Sequence, residues 1–270
     1  YIFILFLKAT MFILNRYYKF YKYNGLLKTV VKIFTTPFRI IKKLIYNKNK
    51  KLIFNENTAE KRFNLIYKTN FWSSNESVSG LGSEKKNTIN IEKEIVHIIN
   101  KYQIKSVLDA PCGDFNWIKN VLNKDLNYTG GDIVKEIIDQ NIIKFKEKNL
   151  KFIKLDITSE NLPEADLMIC RDCLIHFSLK NIKLFLKNFK NSNINYILLT
   201  TYKLKDKNKV ITNIDIPDGE FREIDLTQPP FSFPKPVYEI LDKDELNKNS
   251  NFNCFLNLYS KNQIEKLVIE

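Results

Sequence analysis

The sequence predicts an α/β protein with a seven-stranded, mostly parallel sheet, helices on both faces of the sheet, and a basic helical extension at the N-terminus. Two observations predict the sheet. Apolar segments of strand length alternate with segments of helical periodicity after residue 88, and acidic residues follow several of the apolar segments. The concentration of positive charge before residue 52 predicts the separate extension. We therefore expect an N-terminal extension over residues 1–54 and one α/β domain over residues 55–270.

The net charge of +13 belongs to the extension. Residues 1–51 contain twelve Lys or Arg residues and no acidic residue, which leaves 31 basic and 30 acidic residues for the rest of the chain. Nucleic-acid backbones are bound by clustered Lys and Arg side chains, and an almost neutral domain does not supply them. The composition therefore disfavours a DNA or RNA substrate.

Residues 26–45 have the pattern of a basic amphipathic helix, which we expect to break near Pro37. Two interpretations of this extension stay open. Residues 11–51 attach to an anionic membrane surface or an acidic partner, or they form a helical extension packed on the domain. The apolar run before Lys8 has only seven residues, too few to cross a bilayer.

The apolar pattern predicts the elements of the domain in order. Ile91, Ile95 and Ile98 share one face of a helix, and the apolar run that ends at Asp109 suits a buried strand. The last two strands are expected to form an antiparallel pair. The predicted helices are 89–102, 114–122, 135–147 and 181–190, and the predicted strands are 106–109, 126–132, 152–156, 165–170, 196–202, 237–241 and 252–259. Residues 71–83, rich in hydroxyl groups and glycine, and the proline-punctuated residues 203–236 are predicted loops.

The motif at residues 105–117 has the sequence K-S-V-L-D-A-P-C-G-D-F-N-W. A strand ends at Asp109, a turn follows, and Asp114 stands where a helix N-cap is expected. An acidic side chain at the strand end suits a cofactor with an ammonium group and repels one that leads with a pyrophosphate. Pro111 stands where an NAD site needs glycine for close approach of the backbone. Asp132 lies 23 residues beyond Asp109, at the end of the next strand, where a carboxylate can accept both hydroxyls of a ribose.

These residues resemble the first motif of the class I S-adenosylmethionine-dependent methyltransferases, which is acidic-hydrophobic-Gly-x-Gly-x-Gly. The chain keeps the acid (Asp109) and the middle glycine (Gly113), and has Pro111 and Phe115 at the outer glycine positions. With C-R-D-C-L-I-H at residues 170–176 and S-G-L-G-S at residues 79–83, the motif resembles one bacterial subgroup of that family whose acceptors are mostly unassigned. The resemblance covers about residues 71–259 and implies a Rossmann-like class I methyltransferase fold.

The resemblance implies S-adenosylmethionine as the cofactor. Asp109 and Gly113 would then contact its methionine end, Asp132 its ribose and Asp156 its adenine; a turn aspartate is the open alternative for Asp156. Further cofactor contacts are expected at Ala110, Pro111, Ile133, Ile157 and Arg171.

The acceptor side is expected at the end of the fourth strand. His176, one of two histidines, is our candidate general base, together with Asp172; the alternative is that His176 only hydrogen-bonds the loop. The loop 71–83 is expected to fold back over the cofactor pocket, with an ordinary surface loop as the alternative. Substrate contacts are expected from Trp72, Ser79, Tyr202 and Arg222.

The predicted activity is methyl transfer to a small-molecule or glycan-like acceptor, at an oxygen atom. One rival is a non-catalytic membrane-surface binding module with a residual nucleoside pocket. The other is an NAD-dependent enzyme, but the G-x-G-x-x-G motif that it needs is absent.

The four cysteines are too few and too scattered for a disulfide framework. Cys170 and Cys173 form a C-x-x-C pair that could bind zinc or act in redox chemistry. Without a second pair at metal spacing, two reduced cysteines are the favoured interpretation, and we expect no metal. The sequence therefore predicts a cytoplasmic protein, with the extension as a peripheral attachment to the inner membrane face.

Overall fold

The computed structural model of the chain describes residues 2–242 and 248–269. The chain divides into two units, Tyr1–Leu52 and Ile53–Glu270. The second unit contains the whole sheet.

Seven strands form one sheet in the order β3-β2-β1-β4-β5-β7-β6. Strands β1 to β5 are parallel, and β7 runs antiparallel to both β5 and β6. The predicted fold and the predicted antiparallel pair are confirmed. The strands are β1 (Ser106–Asp109), β2 (Asn127–Asp132), β3 (Leu150–Lys154), β4 (Leu167–Cys170), β5 (Tyr196–Leu204), β6 (Tyr238–Asp242) and β7 (Phe252–Ser260).

The helices are α1 (Ile2–Phe54), α2 (Ala59–Lys68), α3 (Lys85–Lys101), α4 (Lys135–Lys144), α5 (Leu179–Lys190) and α6 (Lys261–Glu265). Alternate side chains of β1 enter two different cores, as the period of a strand requires. Val107 packs in the core that contains the apolar faces of α3 and α4, and Leu108 packs in the core that contains those of α5 and α6. Helices therefore cover both faces of the sheet.

Helix α3 begins four residues before its predicted start, and α4 ends three residues before its predicted end because Phe145 is extended. Helices α2 and α6 were not predicted. Thr58 caps α2, and Ser260 forms a capping box with Gln263 at the start of α6. The S-x-x-Q pattern of that box was a usable sequence signal.

The predicted helix 114–122 is wrong. Only a single 3-10 turn, Ile118–Asn120, forms there. Gly113 and Phe115 have positive φ angles of 52° and 57°, which interrupt a helical path directly after β1. Asp114 does not cap a helix; its carboxylate accepts hydrogen bonds from the Ser77 hydroxyl (2.8 Å) and the Val78 N–H (3.1 Å).

The predicted break near Pro37 is also wrong, because Pro37 lies inside α1 and the break occurs at Gly25 (φ 80°, ψ 172°). Glycine adopts this backbone conformation without the penalty of a Cβ atom. At Pro37 the Ile33 carbonyl loses its helical donor, and the hydroxyl of Thr36 bonds the neighbouring Lys32 carbonyl at 2.6 Å. No helix in the described part of the chain combines the length and the apolar content needed to cross a membrane.

Candidate functional site

The parallel strands bring two predicted carboxylates to the same edge of the sheet, since Asp109 ends β1 and Asp132 ends the neighbouring β2. Both are buried, at 3% and 6% exposure. The Tyr128 hydroxyl donates to Asp109 Oδ2 at 2.7 Å. Asp132 accepts hydrogen bonds from the N–H groups of Val134 (2.9 Å) and Gly113 (3.1 Å), so it also holds the turn after β1 in place.

Burial raises the pKa of Asp109 to about 7, although the Tyr128 hydrogen bond lowers it; the charge of Asp132 raises it further and that of Arg171 lowers it. Burial likewise raises the pKa of Asp132 to about 6, against the effect of its backbone hydrogen bonds. A raised carboxylate pKa means that the surroundings do not fully stabilise the negative charge. This edge therefore fits a cationic ligand, and S-adenosylmethionine carries both a sulfonium and an ammonium group.

The loop Phe71–Ser83 lies against the turn after β1. Asp114 joins the two segments through Ser77 and Val78, and Asn116 donates to Glu76 (2.9 Å) and to the Ser83 carbonyl (3.0 Å). The loop therefore lies over the carboxyl end of β1, and its role as a cover of a cofactor pocket stays a prediction.

Ser79 packs directly on Gly113, and a Cβ atom at residue 113 would collide with the Ser79 hydroxyl oxygen. The sequence assigned Ser79 to the acceptor. In the structure Ser79 contacts the turn after β1, at Gly113 and Asp114, and a contact with the acceptor stays a prediction.

The other predicted cofactor residues differ in their surroundings. Oδ1 of Asp156 accepts hydrogen bonds from the N–H (2.9 Å) and hydroxyl (2.7 Å) of Thr158, which is the turn arrangement left open as its alternative. Ala110 and Ile157 are buried in the core, whereas Pro111 and Ile133 are half-buried.

Arg171, immediately after β4, is the centre of a buried ion network. Its Nε and Nη2 atoms donate to Asp242 Oδ2 at 3.1 and 2.8 Å, and Nη1 donates to the Gly82 carbonyl at 3.1 Å. Nη1 also lies 3.0 Å from Oδ2 of Asp172. Burial alone lowers the pKa of Arg171, but Asp172 and Asp242 raise it above its usual value. The network ties the loop Phe71–Ser83 to β4 and β6.

Asp172, predicted to act together with His176, belongs to this network. Its carboxylate is ion-paired with Arg171 and also accepts a hydrogen bond from the Thr200 hydroxyl at 3.3 Å. Sequence reasoning missed Asp242 and Tyr128, the partners of Arg171 and Asp109. Neither residue belongs to a motif, so no sequence signal marked them.

His176 ends the 3-10 turn Leu174–His176 beyond β4. Its Nδ1 atom lies 2.8 Å from the Glu220 carbonyl oxygen, which can only accept a hydrogen bond. Nδ1 therefore carries the proton and, in the neutral ring, Nε2 carries the lone pair. Trp72 stacks on the imidazole with ring centres 4.8 Å apart. Burial lowers the pKa of His176, which keeps the ring neutral and able to accept a proton near pH 7.

Tyr202 on β5 and Arg222 on the long loop between β5 and β6 lie in the same region, since the Tyr202 N–H donates to the Ile224 carbonyl of that loop at 2.7 Å. Tyr202 is buried, and its ring centre lies 6.3 Å from that of Phe221, whose ring is 6.0 Å from His176. Arg222 is only 4% exposed, and its Nη1 atom donates to the Phe177 carbonyl at 2.6 Å. Burial lowers the pKa of Arg222, although Asp215 and Asp218 raise it.

All four cysteines are buried free thiols, and burial holds the pKa of the Cys173 thiol well above its usual value. Within the described residues, no group of three or more His, Cys, Asp or Glu side chains is arranged to hold a metal ion.

No protein-family model matches the sequence, and neither does any curated protein. Solved structures do share the fold. A SAM-dependent methyltransferase from Leishmania major matches with a TM-score of 0.55 at 16% identity, over 75% of this chain and 87% of the other. PigF, solved with SAH, matches with a TM-score of 0.52 at 14% identity, over 87% of this chain and 73% of the other.

Human N-acetylserotonin methyltransferase in complex with SAM matches with a TM-score of 0.50 at 16% identity, over 75% of this chain. The match spans only 60% of the human chain. Together with the strand order and the two acids at the strand ends, these likenesses show that the chain has the fold of the class I S-adenosylmethionine-dependent methyltransferases.

Proposed function

We propose that the chain is an S-adenosylmethionine-dependent methyltransferase that acts on a small-molecule or glycan-like acceptor, at an oxygen atom. The observation that carries the proposal is the pair of buried carboxylates, Asp109 and Asp132, whose raised pKa values indicate that burial leaves their negative charges incompletely stabilised. S-adenosylmethionine would stabilise both charges, since its ammonium group can pair with Asp109 and its ribose hydroxyls can donate to Asp132. A pyrophosphate of NAD would add further negative charge beside the same carboxylates.

The bound cofactor supplies a methyl group that is already activated by its sulfonium. The residues of the chain align the two reactants and remove a proton. Asp109 binds the ammonium group, and Asp132 accepts the ribose hydroxyls while its backbone hydrogen bonds keep Gly113 in place. His176 accepts the acceptor's hydroxyl proton at Nε2. The Glu220 carbonyl and the stacked Trp72 ring hold the imidazole in that orientation.

Calorimetric titration of the full chain with S-adenosylmethionine and with NADH tests the cofactor. We expect S-adenosylmethionine to bind and NADH not to bind. Binding of NADH alone would contradict the proposal, and binding of neither ligand would support a non-catalytic module. A product screen with labelled cofactor then identifies the acceptor.

We further propose that the extension attaches the protein to an anionic membrane surface. Leu27, Phe38 and Ile41 recur on one side of α1 at helical spacing and are 79%, 70% and 53% exposed. Basic residues between them supply the charge complement of an anionic lipid surface, and each is worth about 1 kcal/mol near such a surface. This proposal is independent of the methyl-transfer reaction, because every assigned site residue lies after residue 70.

Sedimentation with anionic vesicles tests the attachment. We expect the full chain to pellet at low salt and to be released at high salt, where the charges are screened. A chain that begins at Leu52 should stay in solution and keep its affinity for S-adenosylmethionine. It retains Phe54, whose ring centre lies 6.5 Å from that of Phe71 in the domain. A full chain that ignores anionic vesicles would contradict the proposal.

A further inference from the structure

Two buried arginines stand at the acceptor end of the sheet, and they differ in how their donors are used. The Nε and Nη2 atoms of Arg171 form a fork that is filled by the carboxylate of Asp242. The same two atoms of Arg222 are buried, and no residue in the described part of the chain accepts a hydrogen bond from them. Arg222 uses only Nη1, which donates to the Phe177 carbonyl at 2.6 Å.

The position of Arg222 is fixed by the backbone beside His176. The Arg222 N–H donates to the Ile175 carbonyl at 3.1 Å, and the Gly219 N–H donates to the His176 carbonyl at 2.7 Å. The charge of Arg222 is close enough to contribute to the lowered pKa of His176. The open fork therefore belongs to the same region as the proposed general base.

The carboxylates whose charges act on Arg222 are those of Asp215 and Asp218, and both accept hydrogen bonds from other residues. Asp218 accepts a hydrogen bond from the Ser178 N–H and Asp215 from the Leu179 N–H, each at 2.7 Å. These bonds satisfy backbone donors at the start of α5. The two carboxylates reduce the cost of burying Arg222 but do not occupy its fork.

We propose that Arg222 binds an oxoanion of the methyl acceptor, a carboxylate or a phosphate, through its Nε and Nη2 atoms. This inference rests on the proposed function. The two parallel N–H donors match two oxygens of one oxoanion, and a bidentate pair of this kind is strong and directional. Because both nitrogens are shielded from solvent, the loop that carries Arg222 must shift to admit the anion.

Inorganic phosphate probes the fork in the full chain. At constant ionic strength, we expect phosphate to raise the thermal unfolding midpoint of the wild type in a saturable way. Arg222→Gln should abolish this response, and Arg222→Lys should weaken phosphate binding by about tenfold or more because lysine has no fork. Arg62→Gln is the matched control, since Arg62 already donates through Nε to the Glu56 carbonyl at 2.9 Å.

A response that is equal in the wild type and Arg222→Gln would overturn the inference, as would an adventitious effect that never saturates. If Arg222→Gln does not fold, the comparison between the wild type and Arg222→Lys decides.

Measurements of turnover distinguish binding of an anionic group that belongs to the acceptor from binding of a free anion such as phosphate. In a screen with labelled S-adenosylmethionine, hydroxyl acceptors that also carry a carboxylate or phosphate should be methylated, and the same acceptors with that group as a neutral amide or ester should react at least tenfold more slowly. Equal turnover of the neutral analogues would overturn the inference even if phosphate binds. Failure of S-adenosylmethionine to bind at all would instead overturn the proposed function, and the calorimetric titration detects that separately.

Discussion

The two halves of the functional edge are buried in the same sheet, but burial shifts the pKa values of their ionisable groups in opposite directions. In the half formed by β1 and β2, burial raises the pKa values of Asp109 and Asp132. In the half beyond β4, burial lowers those of His176 and Arg222. Burial disfavours the charged form of every group, so an acid and a base move in opposite directions. The difference indicates which ligand groups suit each half. Asp109 and Asp132 suit a cation or hydrogen-bond donors, whereas Arg222 suits an anion and His176 suits a hydroxyl that gives up its proton.

The largest expected effect is on catalysis in the basic half. His176→Ala should lower the rate of methyl transfer by about 10²–10⁴-fold, because a general base is lost. S-adenosylmethionine affinity should not change, because the acidic half is intact. His97→Ala is the control, since His97 is exposed and contacts Tyr238 with ring centres 5.7 Å apart. A rate within tenfold of the wild type would mean that alignment alone supports the reaction.

In the acidic half, Asp132→Ala should lower S-adenosylmethionine affinity by about tenfold or more, which corresponds to the loss of roughly 1–3 kcal/mol of hydrogen bonding. The variant should also unfold at a lower temperature, because the N–H groups of Gly113 and Val134 lose their acceptor. Calorimetry and thermal denaturation measure the two effects. Asp156→Ala is the comparison, since it disturbs a turn with Thr158 and should change affinity less. Unchanged affinity in Asp132→Ala would remove this residue from the site.

The pH dependence tests the acidic half as a whole. An ammonium group at Asp109 and hydroxyl donors at Asp132 favour the ionised forms of these carboxylates, whose pKa values are about 7 and about 6 in the free protein. Affinity for S-adenosylmethionine should therefore rise between pH 5 and pH 8, by up to about tenfold per pH unit for each proton released. Calorimetry in two buffers of different ionisation enthalpy counts the protons.

The same two carboxylates affect the stability of the free protein. Their folded-state pKa values lie above the ordinary value of 3.8, so their contribution is fully present below that pH and is lost as the pH rises through about 6 to 7. The thermal midpoint of the free protein should therefore carry a component that falls between pH 3.8 and about pH 7.

Affinity for S-adenosylmethionine that is independent of pH would show that the two carboxylates do not face the ligand.

A smaller change is expected from Tyr128→Phe. The Tyr128 hydroxyl stabilises the ionised form of Asp109, so its removal should raise the pKa of Asp109 further. Affinity at pH 7 should fall by about threefold to tenfold, and the deficit should shrink at higher pH as Asp109 ionises. A deficit that stays the same at all pH values would point to a packing effect of the substitution.

The sheet and its two acids could be predicted because their causes are local. Strands buried on both faces need continuous apolar runs, and parallel strands place Asp109 and Asp132 at one edge whatever the loops do. The wrong predictions depend on contacts between residues that are far apart in the sequence. Asp114 looked like a helix N-cap, but its partners Ser77 and Val78 lie in a loop more than thirty residues earlier.

The state of each basic residue was equally inaccessible to sequence reasoning. Arg171 and Arg222 both belonged to the predicted site, and nothing in their neighbours along the chain distinguishes them. The difference arises because Asp242 reaches Arg171 from a strand 71 residues away. Likewise, the tautomer of His176 depends on the carbonyl of Glu220, 44 residues later.

Arg171 follows the central strand β4 and pairs with two carboxylates, the adjacent Asp172 and Asp242, which ends the edge strand β6 71 residues later. During synthesis, β4 leaves the ribosome well before the residues of β6 and β7 have been synthesised. Without Asp242, a buried Arg171 would keep only the adjacent Asp172 as its partner, and a broken buried ion pair destabilises a fold by about 3–5 kcal/mol. The nascent domain therefore cannot fully bury Arg171 until β6 and β7 have joined the sheet. A chain that stops before β6 would leave this edge of the sheet exposed to water.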